Sequence, residues 1–84
     1  MNPRAKKAKA LDGFKIEVEF ANGEIKIFDV TPLLSYPVYQ SLKARAFFEK
    51  VFVSQGIVQW PNEVDISPDL LYLDSQDVAR TSGF

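Results

Sequence analysis

The 84 residues of the chain include no cysteine and no histidine. Without thiols the chain forms no disulfide and offers no thiol nucleophile, and without imidazole it lacks the base of Ser/His and Cys/His catalytic arrangements. Zinc sites made of thiolate or imidazole ligands are excluded for the same reason. Catalysis would have to depend on carboxylates, Lys, Tyr or Ser, so we predict a protein that is not an enzyme and needs no cofactor.

Long hydrophobic runs are also absent. No stretch approaches the roughly 18 apolar residues of a membrane span, and the basic N-terminus is not followed by the apolar core of a signal peptide. We therefore expect no membrane association and, by default, a cytoplasmic location, with which the lack of cysteine agrees. The four glycines are scattered singly, so none forms a loop that cradles a phosphate.

The composition that is present is typical of a folded domain. Hydrophobic residues make up 46% and charged residues 25% of the chain, close to globular averages. The length suits one small domain, which we place at residues 1–75, followed by a tail over residues 76–84 that is expected to fray. A domain of this size buries only about 60–65% of its unfolded surface, which favours stabilisation by a partner or by dimerisation.

Charge is distributed unevenly, although the net charge is only −1. Residues 1–15 carry five basic side chains and one acid, whereas residues 61–84 carry five acids and one base. One interpretation is that the two ends attract each other within the fold or between molecules. The alternative is a weak polyanion-binding arm at the N-terminus, whose binding would be sensitive to salt.

The clearest local pattern is the alternation of apolar and charged residues over positions 14–20, which predicts a strand with one exposed face. Asn22-Gly23 follows it and favours a type I′ turn, because both residues tolerate positive φ. The two-residue loop of such a hairpin would pair Glu19 with Lys26 on the solvent face. Further along the returning strand the apolar residues change face, so we predict a bulge near Ile27-Phe28.

An upstream strand is predicted over Ala5–Leu11 and joins the hairpin through Asp12-Gly13. A strict two-residue loop would place Lys7 and Lys9 on the core face, so we expect a longer loop or a bulge. The strand is rich in lysine, as exposed sheet edges often are, because a charged edge resists pairing with other chains.

Helical segments are predicted in the middle of the chain. Pro37 suits the first position of a helix in which Val38 and Leu42 share a face. The adjacent aromatic residues Phe47 and Phe48 interrupt a simple apolar stripe, which indicates two short helical segments rather than one long helix.

The last third of the chain contains a second hairpin and a terminal helix. Residues 51–53 and 57–60 form the hairpin, and an irregular link follows Trp60-Pro61-Asn62. Ser67-Pro68-Asp69 has the form of a helix start and predicts a helix to Asp74. The candidate packing residues of that helix are Leu70, Leu71 and Leu73. Together the elements predict a two-layer α+β fold, with an antiparallel sheet in the order β-β-β-α-β-β-α and short helices on one face.

Acidic residues are densest at Glu63, Asp65 and Asp69, which together with Asp74 could bind Mg²⁺ or Ca²⁺ through oxygen ligands. Their spacing matches no calcium loop, so we interpret Asp69 as part of the helix start, the others as solvated, and predict no metal site. Ser67 has no base beside it in sequence, and a capping role explains it. No catalytic residue is predicted.

Trp60-Pro61-Asn62 is the most distinctive local feature. An aromatic residue before proline raises the chance of a cis bond, and a tryptophan at a strand end suits a core residue, an interface anchor or a platform for base stacking. The same alternatives apply to Tyr36, Tyr39 and Tyr72. The basic strand lacks the interleaved aromatic residues of an RNA-recognition sheet, and no helix-turn-helix follows it.

An ordered set of short motifs gives the chain a family resemblance over roughly residues 3–75. The motifs are Asn2-Pro3-Arg4, Leu11-Asp12, Phe20-Ala21-Asn22-Gly23-Glu24, Phe28-Asp29-Val30, Pro32-Leu33-Leu34, Trp60-Pro61-Asn62, Asp65-Ile66, Pro68-Asp69 and Leu71-Tyr72. This set resembles the small bacterial proteins of Domain of Unknown Function 2442. One departure is Glu63, where that family more often has a small residue such as glycine.

The resemblance implies a compact two-layer α+β fold, similar to a domain that precedes helix-turn-helix modules. It also implies gene neighbourhoods shared with another small protein, and hence a toxin–antitoxin-like or other partner-binding role. It supplies no catalytic residue, and since no helix-turn-helix follows in this chain, an autonomous repressor is not expected.

We therefore predict a non-enzymatic protein-interaction module whose partner is another small protein or a second copy of the chain. The candidate partner-binding residues are Arg4, Lys6, Lys7 and Lys9 on the basic strand, together with Trp60, Pro61 and Tyr72. The alternative is a weak nucleic-acid-binding or regulatory accessory protein that acts through the basic strand.

Overall fold

The structure is a computed structural model, and it describes residues 2–77. Within that range the strands are β1 Ala5–Leu11, β2 Lys15–Phe20, β3 Ile25–Asp29, β4 Phe52–Ser54, β5 Ile57–Trp60, β6 Val64–Ile66 and β7 Gln76–Asp77. Two 3₁₀ helices span Thr31–Ser35 and Pro37–Lys43, and two α-helices, α1 and α2, span Arg45–Phe48 and Pro68–Asp74. The predicted tail begins at Gln76, and all of it beyond Asp77 lies outside the described residues.

The strands form two antiparallel sheets. One has four strands in the order β1-β2-β3-β7, and the other has three in the order β4-β5-β6. The predicted α+β class is confirmed. The prediction of an irregular link after Asn62 is wrong for Val64–Ile66, because these residues pair with β5 and bury Val64 and Ile66 while Asp65 is exposed. Three residues are too short a stretch for alternation alone to identify a strand.

The hairpin of β2 and β3 differs in register from the prediction. Glu19 lies opposite Ile25, not opposite Lys26, and the pairing continues regularly to Asp29, so the predicted bulge is absent. The turn is longer than two residues because the amide of Phe20 donates to the carbonyl of Glu24 over 2.8 Å. Consequently Phe28 lies on the buried face and Ile25 on the opposite one.

The side chain of Asn22 explains the longer turn. Its Oδ1 accepts a 3.0 Å hydrogen bond from the amide of Glu24, which closes an Asx turn. Gly23 has a φ of 91°, whereas Asn22 has no positive φ. A type I′ turn requires positive φ at both central residues, so this side-chain bond replaces the predicted geometry.

The hairpin of β1 and β2 follows the prediction. Leu11 pairs with Lys15, so the loop has three residues. An irregularity between Ala5 and Lys7 shifts the register at the other end of the strand. As a result Lys7 and Lys9 lie opposite the glutamates of β2 on the outer face, while the alanines of β1 lie opposite buried residues.

The helical middle consists of short segments, as predicted, but the first two are 3₁₀ helices. Val38 is 62% exposed whereas Leu42 is fully buried, so the predicted shared face is wrong. A 3₁₀ helix has three residues per turn, and the residue that shares the face of Leu42 is therefore Tyr39.

Helix α2 spans the predicted residues. Of its three candidate packing residues only Leu71 is buried, while Leu70 and Leu73 are exposed. Ser67 occupies the N-cap position, but its side chain makes no capping hydrogen bond, which corrects the predicted role of its hydroxyl. Its carbonyl instead accepts the first helical bond, from the amide of Leu71.

The two sheets meet at the N-terminal segment. The amide of Ala5 donates to the carbonyl of Gly56 over 3.1 Å, and the guanidinium of Arg4 donates to the carbonyl of Gln55 over 3.2 Å. Gly56 has a φ of 80°, and a Cβ there would lie 2.8 Å from the Cβ of Arg4. Glycine is therefore required at this point both by the backbone and by the close approach of Arg4.

Candidate functional site

The basic strand β1 is exposed, but its cations face acids of the neighbouring strand. Lys7 and Lys9 lie opposite Glu19 and Glu17, and the ammonium of Lys6 lies 3.8 Å from the carboxylate of Glu19. In the β1–β2 ladder the residues opposite Lys7 and Lys9 are glutamates of β2, not acids of the C-terminal part of the chain. These glutamates offset part of the positive charge of the strand.

The main-chain edge of β1 is open at Ala8 and Ala10. In an antiparallel ladder, successive residues form their backbone hydrogen bonds on opposite sides of the strand. The amide of Phe20 bonds towards β3. It follows from the β1–β2 pairs that Ala8 and Ala10 direct their peptide groups away from β2, to the open edge. A partner strand added to β1 would therefore meet a short edge.

One end of that edge is covered. Gly56 accepts the amide of Ala5 there, and Arg4 is joined to the β4–β5 turn beside it. These contacts shorten the edge that is available for β-strand addition.

Trp60 is not available to a partner, which corrects its place among the candidate binding residues. Its side chain is fully buried, its ring stacks on Phe48 at 5.9 Å between centroids, and its Nε1 donates a 2.7 Å hydrogen bond to the carbonyl of Phe48. A large amphipathic ring whose one polar atom is satisfied inside the core is stable there. Pro61 is exposed, and the bond that precedes it is trans.

Tyr72 is half-buried and joins α2 to the β2–β3 hairpin. Its hydroxyl donates to the carboxylate of Glu24, its ring meets that of Phe20 edge-on at 5.1 Å, and the ammonium of Lys26 lies 4.1 Å from the ring centroid. The hydrogen bond from Tyr72, and after it the one from Asn22, lowers the pKa of Glu24. These contacts give Tyr72 a structural role between α2 and the β2–β3 hairpin.

The acidic residues singled out in the sequence do not converge. Glu63, Asp65, Asp69 and Asp74 are all exposed, and Asp69 accepts a 3.2 Å hydrogen bond from the side chain of Asn2. Across residues 2–77 no group of three or more carboxylates is arranged to hold a metal ion.

A surface concavity lies between the 3₁₀ helices and α2, and we call it the apolar groove. Its volume is about 780 Å³, and it is lined by Pro32, Leu33, Tyr36, Pro37, Val38, Tyr39, Leu70 and Asp74. A smaller hollow of about 240 Å³ adjoins it, shares four of these residues, and adds Phe28 and Asp29. Val38 is 62%, Tyr36 57% and Leu70 37% exposed. Apolar side chains are thus exposed side by side on a concave surface.

Local rigidity explains why these apolar side chains stay exposed. Each 3₁₀ helix begins with a proline in its first turn, and the extended residue Tyr36 separates the two helices. The side-chain amide of Gln40 donates a 2.6 Å hydrogen bond to the carbonyl of Leu34, which joins the second helix to the first. The fixed φ of proline and this hydrogen bond restrict the backbone of the two 3₁₀ helices, so their apolar side chains cannot all turn towards the core.

Tyr39 joins the second 3₁₀ helix to the three-stranded sheet. Its hydroxyl donates a 2.9 Å hydrogen bond to the carbonyl of Asp65 in β6. Burial, and to a smaller extent the negative charge of Asp65, raises the pKa of Tyr39. The hydroxyl therefore remains a donor at neutral pH and holds the helix in place.

The sequence does not predict the groove. Its patterns leave the roles of Tyr36 and Tyr39 open and assign Leu70 to packing. A usable signal was present, because residues 32–39 contain more apolar side chains than one face of a short helix can bury.

None of the helices within residues 2–77 has the length and apolar character that a membrane-spanning helix requires. Compared with known families, residues 5–76 match the family model described as "Protein of unknown function (DUF2442)". No curated protein and no solved structure matches the chain.

Proposed function

The chain thus belongs to the DUF2442 family of proteins of unknown function, and from this premise we propose that it is a non-enzymatic module that binds another protein through the apolar groove. The single observation that supports the proposal is the exposure of Tyr36, Val38 and Leu70 on one concave surface. Apolar side chains that line one concavity are typical of binding sites.

The chemistry of the groove suits a protein partner. Aromatic and aliphatic side chains supply contact area that water solvates poorly, and rigid walls reduce the conformational entropy lost on binding. The toxin–antitoxin-like role that the family resemblance implies is one form of this proposal, because an antitoxin acts by occupying a surface of its partner. The basic strand is a weaker candidate, since Glu17 and Glu19 lie opposite its lysines.

A pull-down from the native host, with mass spectrometry and a measured mass in solution, tests the proposal. We expect a stoichiometric protein partner that survives nuclease and is lost with Val38→Asp or Leu70→Gln. Leu73→Gln is the matched control, because Leu73 is 68% exposed on the same helix but lies outside the groove. Urea unfolding of each variant would establish that the fold is retained.

Three results would contradict the proposal. A partner retained by both groove variants would place binding elsewhere. Loss of every partner after nuclease, with DNA or RNA retardation abolished by changing Lys6, Lys7 and Lys9 to Glu, would favour nucleic-acid binding instead. Recovery of the chain alone, as a dimer that the groove variants do not disrupt, would indicate self-association through another surface.

A further inference from the structure

We propose that the apolar groove recognises a peptide segment in which a Lys or Arg lies beside a large apolar residue. This inference rests on the proposed function and specifies the chemistry of the partner. It is drawn from the sign and the placement of the charges around the groove.

The charged side chains that line the groove and its adjoining hollow are all acidic. Asp74 borders both concavities and Asp29 borders the smaller one, while no Lys or Arg lines either. The ion pairs found within residues 2–77 are Lys6–Glu19 and Arg45–Glu49, so neither groove carboxylate is paired in this way. A cationic group on a partner would meet two carboxylates that form no ion pair with any of residues 2–77.

Asp74 is the stronger of the two acids as a recognition element. Asp29 already accepts a 3.0 Å hydrogen bond from the amide of Thr31, and it lies opposite Lys15 in the β2–β3 ladder. Asp74 is exposed at the last position of α2, whose last turn contains no basic residue. The negative end of the helix therefore adds to the field of its carboxylate.

The walls beside Asp74 match the rest of a Lys or Arg side chain. These side chains have an apolar stem and a charged end, so they bind best where an apolar surface leads to a carboxylate. Leu70 and Val38 offer such a surface, and the exposed ring of Tyr36 can accept a cation on its face. A volume of about 780 Å³ leaves space for a neighbouring apolar side chain of the same segment.

Selection from a library of random twelve-residue peptides tests the inference, with Val38→Asp protein used to remove peptides that bind elsewhere. We expect the remaining peptides to combine a large apolar residue with Lys or Arg within a few positions. In fluorescence polarisation their affinity should fall about two- to fivefold with Asp74→Asn, and also on raising the salt concentration. Asp69→Asn is the matched control on the same helix, and it should leave the affinity unchanged.

The outcomes separate this inference from the proposal on which it rests. Peptides that require Val38 but are neutral or acidic, or whose affinity is insensitive to Asp74→Asn, would overturn the inference and leave the binding function standing. A selection that yields no peptide dependent on Val38 would overturn both.

Discussion

The indole of Trp60 donates a hydrogen bond of 2.7 Å to the carbonyl of Phe48, and the two rings stack at 5.9 Å between centroids. The contact joins strand β5 of the three-stranded sheet to helix α1. Phe48 in turn meets Phe14 edge-on at 5.2 Å, so the same cluster reaches the β1–β2 loop of the other sheet.

Replacing Trp60 by Phe should lower the free energy of unfolding by about 2–3 kcal/mol. The variant loses the buried hydrogen bond and leaves part of the indole volume empty. Urea unfolding followed by circular dichroism would measure the loss. Phe52→Leu, at an aromatic residue that is 41% exposed on β4, serves as the control and should cost less than about 0.5 kcal/mol. Equal costs for the two variants would mean that the Trp60–Phe48 contact contributes little.

Gly56→Ala should destabilise the protein more than Gly23→Ala does. Both glycines have positive φ, at 80° and 91°, but only a Cβ at Gly56 would collide with Arg4. We expect about 1 kcal/mol for Gly23→Ala from the backbone alone, and about 2–4 kcal/mol for Gly56→Ala. The measurement is the urea concentration at the midpoint of unfolding, compared between variants whose unfolding free energy depends equally steeply on urea concentration. If the two substitutions cost the same, the close approach of Arg4 is not a constraint on this turn.

Glu63→Gly should stabilise the protein by up to about 1 kcal/mol. Glu63 has a φ of 63° in the turn before β6, a conformation that costs a residue with a Cβ about 1–2 kcal/mol. Glycine removes this cost but gains freedom in the unfolded chain, which offsets part of the benefit. Glu63→Ala distinguishes the backbone from the charge, because it removes the carboxylate and keeps the strain. A thermal midpoint raised equally by both variants would attribute the effect to charge.

The hydrogen bond from Tyr72 to Glu24 should make stability depend on pH in the acid range. Because the folded-state pKa of Glu24 is lowered from its ordinary 4.5, its contribution is present above that value and is lost as the pH falls through the folded pKa. Tyr72→Phe removes the largest cause of the shift, so its unfolding free energy should fall less steeply below about pH 4.5. Tyr36→Phe, at an exposed ring, is the control. Parallel pH profiles for wild type and Tyr72→Phe would disprove this linkage.

Local sequence patterns were sufficient to predict an element where one kind of interaction dominated its formation. The alternation in β2 and the Ser67-Pro68-Asp69 start of α2 each predict an element that the structure contains. Prediction failed where a side chain formed a hydrogen bond that the turn preference of the Asn22-Gly23 dipeptide does not include. The side chain of Asn22 bonds to the amide of Glu24, and the turn is longer than the two residues that the dipeptide predicts. With the longer turn, Glu19 lies opposite Ile25, and Phe28 lies opposite the buried Ile16.

The groove could not be predicted for a different reason. It depends on the distance in space between α2 and the 3₁₀ helices, which are separated in sequence by residues 44–67, and on which leucine of α2 turns outward. Local pattern assigns Leu70, Leu71 and Leu73 to packing, yet only Leu71 is buried. Trp60 shows the converse, since its sequence context fitted a surface anchor as well as the core position that it occupies.

The contact between Arg4 and the β4–β5 turn spans 51 positions of sequence, and that between Asn2 and Asp69 spans 67. A ribosome makes the N-terminal segment first, but this segment cannot complete its contacts until the turn at Gly56 has been synthesised. During translation the lysine-rich strand can pair with β2, whereas the amide of Ala5 has no carbonyl of Gly56 to bond to until Gly56 has been synthesised. The contacts that join the two sheets at this point therefore form only after the turn at Gly56 has been synthesised.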